Sequence, residues 1–343
     1  MPITALESNY SDRLESLAAA KKITEGQFRH FRDRGIQVFS FQSEYEELGK
    51  FFPEIAVYAS KSYVEKMKVP YQATSFLGAS ALPDGKGPYV FKIPGQKGGG
   101  VEKLTGGKRR DGDNVFASLH RILIGYRANM VSADNFMDNR SQLWNYEFFA
   151  QHLSEKLRGE LAQLAKRQNI MKYPYHVVVA RSEDTFRRLG ILEQRGSITA
   201  LSPENGAEVI FLTNGSGYDY ASREIPEWEN KVHYIETGKD FDMLGALTKL
   251  RKNYNIDVML NDGGRQMSNG VRGLGLLGEE RITKEPYPGV GVVPENLTGS
   301  VIDVDGAGLD GRGLQGAVKI YSRKINDEVA SIYLCQLDED KIF

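Results

Sequence analysis

Ile256-Asp-Val-Met-Leu-Asn-Asp-Gly-Gly264 is the stretch of sequence that decides the fold. Its first residues form a short apolar run that predicts a buried strand, and its Asn-Asp-Gly-Gly end predicts a turn before a helix from about Gln266. Glycine has no Cβ, so the Gly263-Gly264 pair lets the backbone approach a ligand closely. The helix start that follows offers unpaired N–H groups and the positive end of a helix dipole. This pattern suits a phosphate or pyrophosphate group.

Strand-like and helix-like segments alternate along much of the chain. Apolar runs and alternating patterns predict strands, and apolar residues at helical spacing predict the helices between them. This alternation indicates an α/β fold, and a closing hairpin around Asn326-Asp327 makes the predicted sheet mixed. The predicted strands cover residues 36–41, 89–93, 128–132, 176–180, 208–213, 231–235 and 256–260, and the predicted helices cover residues 115–126, 143–168 and 240–253.

The first part of the chain has a different pattern. Residues 1–70 are predicted to be mainly helical, with a helix cap at Asn9 or Ser11. Pro70 ends this block, and the strand-rich pattern begins after it. We therefore expect two regions, a mainly helical N-terminal extension over residues 1–80 and an α/β domain over residues 81–343.

The composition argues against several classes of protein. A net charge of −1 over 343 residues gives no indication of general binding to nucleic acid or to an anionic membrane. Cys335 is the only cysteine, which excludes an internal disulfide and a cysteine-based zinc cluster. The five histidines show no metal-ligand spacing, so no metal is expected. There is no secretory signal pattern and no apolar run of about 18 residues, so a cytoplasmic protein without a membrane span is expected.

Three parts of the sequence share the order and spacing of one known family. The segment Val258-Met-Leu-Asn-Asp-Gly-Gly264, followed by Gly275-Leu-Leu-Gly-Glu-Glu-Arg-Ile-Thr283, resembles the reductase domain of the bifunctional riboflavin-biosynthesis deaminase–reductase. That family has a strand, Glu-Gly-Gly, a helix, and Gly-Leu-Val-Asp-Glu before the next strand. Upstream, Leu123 to Asn135 and His176 to Ser182 are similar to two further strand-and-loop motifs of the family. The resemblance covers residues 88–283.

The resemblance implies a dihydrofolate-reductase-like fold, with a mixed sheet flanked by helices, and NADPH as the hydride donor. It also implies a homodimer and a nucleotide-like substrate, a phosphoribosylamino-pyrimidine whose opened ribose is reduced. The deaminase half of the bifunctional proteins needs a zinc site with two cysteines. A chain with one cysteine cannot contain that half.

The Asn-Asp-Gly-Gly turn gives the first group of predicted cofactor contacts. Arg265 is placed to neutralise a phosphate. Asp262 stands where the family usually has Glu, so it keeps the charge with a shorter reach. The alternatives are a turn that needs glycine only for its backbone, and a solvated surface arginine. The predicted contacts in this turn are Asp262, Gly263, Gly264, Arg265 and Gln266.

The loop after residues 128–132 gives the second group, in which Ser132 and Asn135 keep hydrogen-bonding capacity. Asp134 departs from the family, which usually has Gly at this position. A carboxylate that faces a pyrophosphate is repelled by about 1 kcal/mol or more at short range. The alternative role for Asp134 is to cap the segment that follows. The departure weakens the case for NADPH.

The third group follows the next two strands. Arg181 beside Ser182, at the carboxyl end of a strand, is able to hold an adenosine 2′-phosphate, which distinguishes NADPH from NADH. The alternative is a charged loop start. Thr213 ends the following strand and is predicted to line the adenine side.

The substrate side of the site departs most from the family. The family's Ser-Leu-Asp-Gly-Lys has two possible counterparts, Leu82-Pro-Asp-Gly-Lys86 by its letters and residues 96–100 by their spacing. The spacing favours residues 96–100, which lack the carboxylate, so no catalytic residue is assigned. Lys97, Arg109 and Arg127 are the predicted substrate contacts, and a solvated basic loop is the alternative for Lys97 and Arg109.

Three hypotheses follow from these patterns. The first is an NADPH-dependent reductase of the riboflavin-pathway type, in which the cofactor supplies the hydride chemistry. The second is a nucleotide-binding or interaction protein that keeps the fold without catalysis, suggested by Asp134 and by residues 96–100. The third is a nucleotide-processing enzyme of another class that uses the same turn. Fold alone does not decide between them.

Overall fold

The computed structural model describes residues 5–40, 45–51, 54–80, 119, 121–138, 145, 147, 150, 153–167, 173–193, 198–202, 206–228, 232–286, 317–325 and 328–343. The predicted strand over residues 89–93, the segments 82–86 and 96–100, and the predicted substrate contacts Lys97 and Arg109 lie outside these residues.

A nine-stranded mixed sheet forms the centre of the molecule, with the strand order β10-β11-β9-β3-β8-β4-β5-β6-β7. The strands from β9 to β7 pair in parallel, and the hairpin of β10 and β11 adds antiparallel strands at one edge. The predicted mixed α/β sheet with a closing hairpin is therefore confirmed. The strands are β1 (Gln37–Ser40), β2 (Glu54–Val57), β3 (Tyr71–Ser80), β4 (Ala128–Ser132), β5 (Tyr175–Val179), β6 (Val209–Thr213), β7 (Val232–Glu236), β8 (Val258–Asn261), β9 (Glu279–Pro286), β10 (Val318–Ile325) and β11 (Glu328–Leu334).

Helices pack on both faces of this sheet, as burial of both faces of a parallel sheet requires. They are α1 (Ala5–Ala19), α2 (Glu25–Arg34), α3 (Glu46–Phe51), α4 (Lys61–Lys66), α5 (Ala133–Asp138), α6 (Glu155–Arg167), α7 (Glu183–Glu193), α8 (Gly215–Glu224), α9 (Met243–Tyr254), α10 (Gly264–Gly273) and α11 (Glu339–Ile342). Among the described residues, no helix is long and apolar enough to cross a membrane.

The long helix predicted over residues 143–168 is interrupted: Glu147 and Ala150 are helical, but the helical conformation does not continue through residues 153–154. Leu153 and Ser154 are not helical, and α6 begins at Glu155. Ser154 explains the start of the helix, because its Oγ accepts a hydrogen bond from the Leu157 backbone N–H at 3.3 Å.

The N-terminal part of the chain belongs to the same folded unit as the sheet. Its helices α1 and α2 and the small antiparallel pair of β1 and β2 fit the mainly helical prediction. However, β3 lies in the middle of the large sheet, where it pairs with β8 on one side and β9 on the other. The predicted boundary between residues 80 and 81 therefore does not separate an extension from the sheet.

Candidate functional site

The connections of β4 and β8 diverge at the carboxyl edge of the sheet. These two strands are neighbours, but β4 leads to β5 on one side, whereas β8 leads to β9 on the other side, beyond β3. The helices that follow them also pack on opposite faces. Phe136 of α5 packs with Val178, and Met267 of α10 packs in the cluster that contains Val177. Such a topological switch point leaves a crevice between the strand ends, where open α/β sheets bind ligands.

The predicted cofactor contacts lie along this same edge. They come from the ends of four strands that are adjacent in the order β8-β4-β5-β6. The structure brings together residues from sequence positions more than a hundred apart. These are Asp262, Gly263, Gly264, Arg265 and Gln266 after β8, Ser132 and Asn135 at the end of β4, Arg181 and Ser182 after β5, and Thr213 at the end of β6.

Hydrogen bonds fix the Asn-Asp-Gly-Gly turn to the end of β4. The Asp262 N–H donates to the Met130 carbonyl at 2.8 Å, and Asn135 Nδ2 donates to the Asp262 carbonyl at 3.3 Å. Asn261, which is fully buried, accepts the Gly263 N–H through Oδ1 at 3.2 Å. The turn after β8 and the loop after β4, which were predicted separately, are therefore joined by hydrogen bonds.

Gly263 and Gly264 begin α10 without a capping side chain. Gly263 occupies the N-cap position, and no side chain caps it. A Cβ at Gly263 would come within 1.4 Å of Met267 Cε, the flexible end of that side chain, so a larger residue here requires the Met267 side chain to move. The Gly263 φ of −75° does not require glycine. Because glycine at the N-cap has no side-chain acceptor, the first N–H groups of α10 are candidate donors to an anion at the crevice. The helix begins at Gly264, earlier than the predicted Gln266.

The helices after β4, β5 and β6 are capped by their own side chains. Ser132 Oγ accepts the Asn135 N–H at 3.2 Å, and Ser182 Oγ accepts the Thr185 N–H at 3.4 Å. Asn214 Oδ1 accepts the Gly217 N–H at 2.9 Å. Thr213 is fully buried, and its hydroxyl donates to the Asn214 carbonyl at 3.2 Å. Ser132, Ser182 and Thr213 therefore already have local partners, and α10 differs from these three helices.

Asp134 does not face the turn in the way that the sequence suggested. It lies in the first turn of α5, where a carboxylate interacts favourably with the helix dipole. Its side chain is exposed and pairs with Arg188 of α7, with Oδ1 2.7 Å from Nη2. The repulsion expected between Asp134 and a pyrophosphate therefore has no support in the structure.

Arg121 is a site residue that the sequence did not identify. It lies in a short helical segment before β4, and its Nε and Nη2 contact Asp262 Oδ2 at 3.2 and 3.1 Å. Both side chains are largely buried, with exposed fractions of 17% for Arg121 and 13% for Asp262. No local spacing relates two residues so far apart in sequence, so only the packing of β4 beside β8 shows the pair.

Phe241 is a second neighbour of the site that the sequence did not identify. The guanidinium carbon of Arg181 lies 4.9 Å from the centre of the Phe241 ring, in a cation–π contact. Arg181 is exposed, and Phe241 is half-buried beside the main core cluster. The contact holds the Arg181 side chain at the carboxyl edge of the sheet.

Arg127 does not belong to this site, contrary to the prediction. It precedes β4, so it lies at the amino edge of the sheet, roughly 15 Å along the strand from Ser132. Its Nε lies 3.3 Å from Asp257 Oδ1, and Asp257 precedes β8 at the same edge. A hydrogen bond to Tyr126 raises the pKa of Arg127. A substrate at the carboxyl edge is out of its reach.

Comparison with known proteins finds similarity at the level of solved structures. No protein-family model and no curated protein matches the chain. RibD of Acinetobacter baumannii is 13% identical with a TM-score of 0.43, over 78% of this chain and 58% of that one. A pyrimidine reductase-like protein of Corynebacterium diphtheriae is 13% identical with a TM-score of 0.47, over 78% of this chain and 93% of that one.

A third structure is the diaminohydroxyphosphoribosylaminopyrimidine deaminase/5-amino-6-(5-phosphoribosylamino)uracil reductase of Thermotoga maritima. It is 16% identical with a TM-score of 0.41, over 78% of this chain and 57% of that one. This chain therefore spans less than two thirds of the two proteins whose names include RibD or the deaminase/reductase activity. The matched structures are of the class that the sequence patterns resemble, and the fold assignment itself rests on the strand order described above.

Proposed function

We propose that the protein is an NADPH-dependent reductase that acts on a nucleotide-like substrate. The observation that carries this proposal is the switch point between β4 and β8. The uncapped start of α10 lies in the crevice where open α/β sheets bind ligands. A pyrophosphate suits this position because the N–H groups at a helix start are donors to anions and Gly263 and Gly264 carry no side chains. Bound NADPH would supply a hydride for an imine or carbonyl carbon.

The preference for NADPH over NADH is assigned to Arg181. Its exposed guanidinium is held at the end of β5 by Phe241, two strands away from the turn. A dinucleotide that extends from the turn across β4 places its adenosine near this residue. A guanidinium recognises a 2′-phosphate through charge-assisted hydrogen bonds, which NADH does not offer.

Calorimetric titration with NADPH and with NADH tests the proposal directly. We expect binding of both, with NADPH the tighter ligand. An absence of heat with either ligand at millimolar concentration would overturn the proposal. Oxidation of bound NADPH after addition of a phosphoribosylamino-pyrimidine supports a reductase, whereas tight binding without oxidation of any such compound favours a protein that binds the nucleotide without catalysis.

Two glycine substitutions in one helix test whether the ligand binds at the turn. Gly264→Asp adds a carboxylate at the start of α10, and we expect NADPH to bind at least about tenfold more weakly, which corresponds to about 1.4 kcal/mol. Gly270→Asp adds the same charge to the same helix, where a Cβ meets no atom within 4 Å. Gly270→Asp should bind NADPH like the original protein. An equal loss of affinity in both variants would place the ligand elsewhere.

A further inference from the structure

Two arginine–aspartate pairs connect a segment that precedes β4 with a segment that flanks β8. The two pairs lie at opposite edges of the sheet. Arg121 pairs with Asp262 at the carboxyl edge, and Arg127 pairs with Asp257 at the amino edge. The first pair is the more buried, with exposed fractions of 17% and 13% against 37% and 30%. Water screens charges less in a buried pair, so Arg121 and Asp262 interact more strongly with each other and with any charge nearby.

The backbone of Asp262 is held beside the start of α10 by hydrogen bonds. Its backbone N–H is bonded to β4 through Met130, and its carbonyl is bonded to Asn135. Gly263 separates it from the first residue of the helix, Gly264. An unneutralised carboxylate at this position would repel a phosphate bound to the N–H groups of α10.

We propose that Arg121 is the charge-compensating residue of the candidate site. By pairing with Asp262, it cancels the carboxylate beside the turn and permits a phosphate-bearing ligand to bind there. Arg121 acts through Asp262 and is therefore a positioning residue. This inference rests on the proposed function, because it concerns the anion at the same turn, and it assigns the selectivity of the site for anionic ligands to a residue outside the turn.

A double-mutant cycle tests this role. The original protein, Arg121→Gln, Asp262→Asn and the double variant are titrated with NADPH and, separately, with inorganic pyrophosphate. We expect Arg121→Gln to weaken both ligands about tenfold or more, because Asp262 is then unpaired. Asp262→Asn removes the charge but keeps the size of the side chain, so it should bind both ligands more tightly than Arg121→Gln does. The double variant should recover affinity to within about threefold of the original protein. If Arg121 were needed only for the fold, removing the Asp262 charge as well would not restore affinity.

Matched variants control for the fold and for charge in general. Arg127→Gln removes the arginine of the other pair, and ligand affinity should stay within about twofold. Arg121→Lys keeps the positive charge, so it should retain most of the affinity even if Arg121→Gln does not fold. Raised salt should reduce the difference between Arg121→Gln and the original protein, because salt screens the repulsion.

The outcomes separate this inference from the proposed function. NADPH affinity that is unchanged by Arg121→Gln, or that stays low in the double variant, overturns the role of Arg121 and leaves the reductase standing. Pyrophosphate binding that depends on Arg121, without any binding of NADPH, overturns the reductase and supports the role of Arg121. A protein that binds neither ligand overturns both.

Discussion

Two aspartates near the candidate site show how the neighbours of a carboxylate determine its effect. Asp134 is exposed and pairs with Arg188 on a neighbouring helix. Asp262 is buried beside the turn and pairs with Arg121. The sequence pointed to Asp134 as the obstacle to an anion, because a glycine is usual there in the family that the chain resembles. In the structure, Asp262 rather than Asp134 lies at the turn, and Arg121 pairs with it, so the proposed site assigns the need for neutralisation to Asp262.

His176 of β5 gives a prediction about pH at the scale of a single residue. The side chain is 4% exposed, its Nε2 has no hydrogen-bond partner within the described part of the chain, and burial lowers its pKa to about 4. In the unfolded chain, a histidine titrates near 6.5. As the pH falls below about 6.5, His176 becomes protonated in the unfolded chain but stays neutral in the folded protein. The free energy of unfolding therefore decreases until the pH reaches about 4.

We expect this effect to amount to about 2 kcal/mol between pH 7 and pH 5. In His176→Gln, the change in the free energy of unfolding between these two pH values should be smaller by about that amount. Urea unfolding at the two pH values provides the measurement. Equal pH dependence in the original protein and in His176→Gln would contradict the prediction.

At the scale of elements, the sequence predicted four strands inside the parallel sheet, in which buried apolar residues predominate. β4, β5, β6 and β8 lie inside the parallel sheet and are buried along most of their length. β3 was not predicted, although it is equally central. Its sequence includes Gln72 and Thr74, which are fully buried polar residues, together with alanine, serine and glycine, which are poor strand formers.

The strand order explains which part of the site was predictable. Gly263 and Gly264 could be read from their place between a strand and a helix, because that pattern is local. The pairing of β4 with β8 is a long-range property of the sheet, so Arg121 could not be connected with Asp262. Arg127 was misplaced for a different reason: the predicted strand over residues 128–132 already puts it at the amino end of β4, and therefore at the edge of the sheet opposite Ser132.

The capped helices give a prediction at this scale. Asn214 caps α8 through the Gly217 N–H and also accepts a hydrogen bond from Ser216 Oγ at 3.0 Å. Asn214→Ala should lower the free energy of unfolding by about 1 kcal/mol, and Asn214→Asp should retain most of it. Asn253→Ala, in the exposed last turn of α9, should have no destabilising effect, because alanine favours a helix. Urea denaturation of the three variants measures these differences, and equal stability of Asn214→Ala and the original protein would exclude the cap.

At the scale of the whole molecule, buried polar contacts connect the N-terminal helices to the sheet. Arg34 of α2 is fully buried and donates to the carbonyls of Tyr58 at 2.7 Å, Gly278 at 2.9 Å and Cys335 at 2.9 Å. Nearby, Glu279 of β9 accepts the Tyr58 N–H at 2.6 Å and forms a buried ion pair with Arg281. Such contacts are expected within one cooperative unit rather than between a domain and an extension.

Substitution of Arg34 tests whether the chain unfolds as one unit. Arg34→Met leaves three buried carbonyl groups without this donor, and we expect a loss of about 3–5 kcal/mol. Arg29→Met, on the same helix with 62% of the side chain exposed, should change stability by less than about 0.5 kcal/mol. The protein has two tryptophans, Trp144 and Trp228, and Trp228 is buried against Phe211 of β6. When Trp144 is replaced by Phe, tryptophan fluorescence reports on Trp228 alone, on the far side of the sheet.

In that background, Arg34→Met should shift the urea transition of Trp228 fluorescence to a lower concentration, with no change in its slope. This result follows because a cooperative unit transmits the loss at α2 to every part of the fold. If the N-terminal segment unfolded independently, the Trp228 transition would stay in place while far-ultraviolet circular dichroism showed an earlier loss of helix. That outcome would place a boundary before β3, near residue 70, with β3 inside the sheet-bearing unit and α1 and α2 outside it.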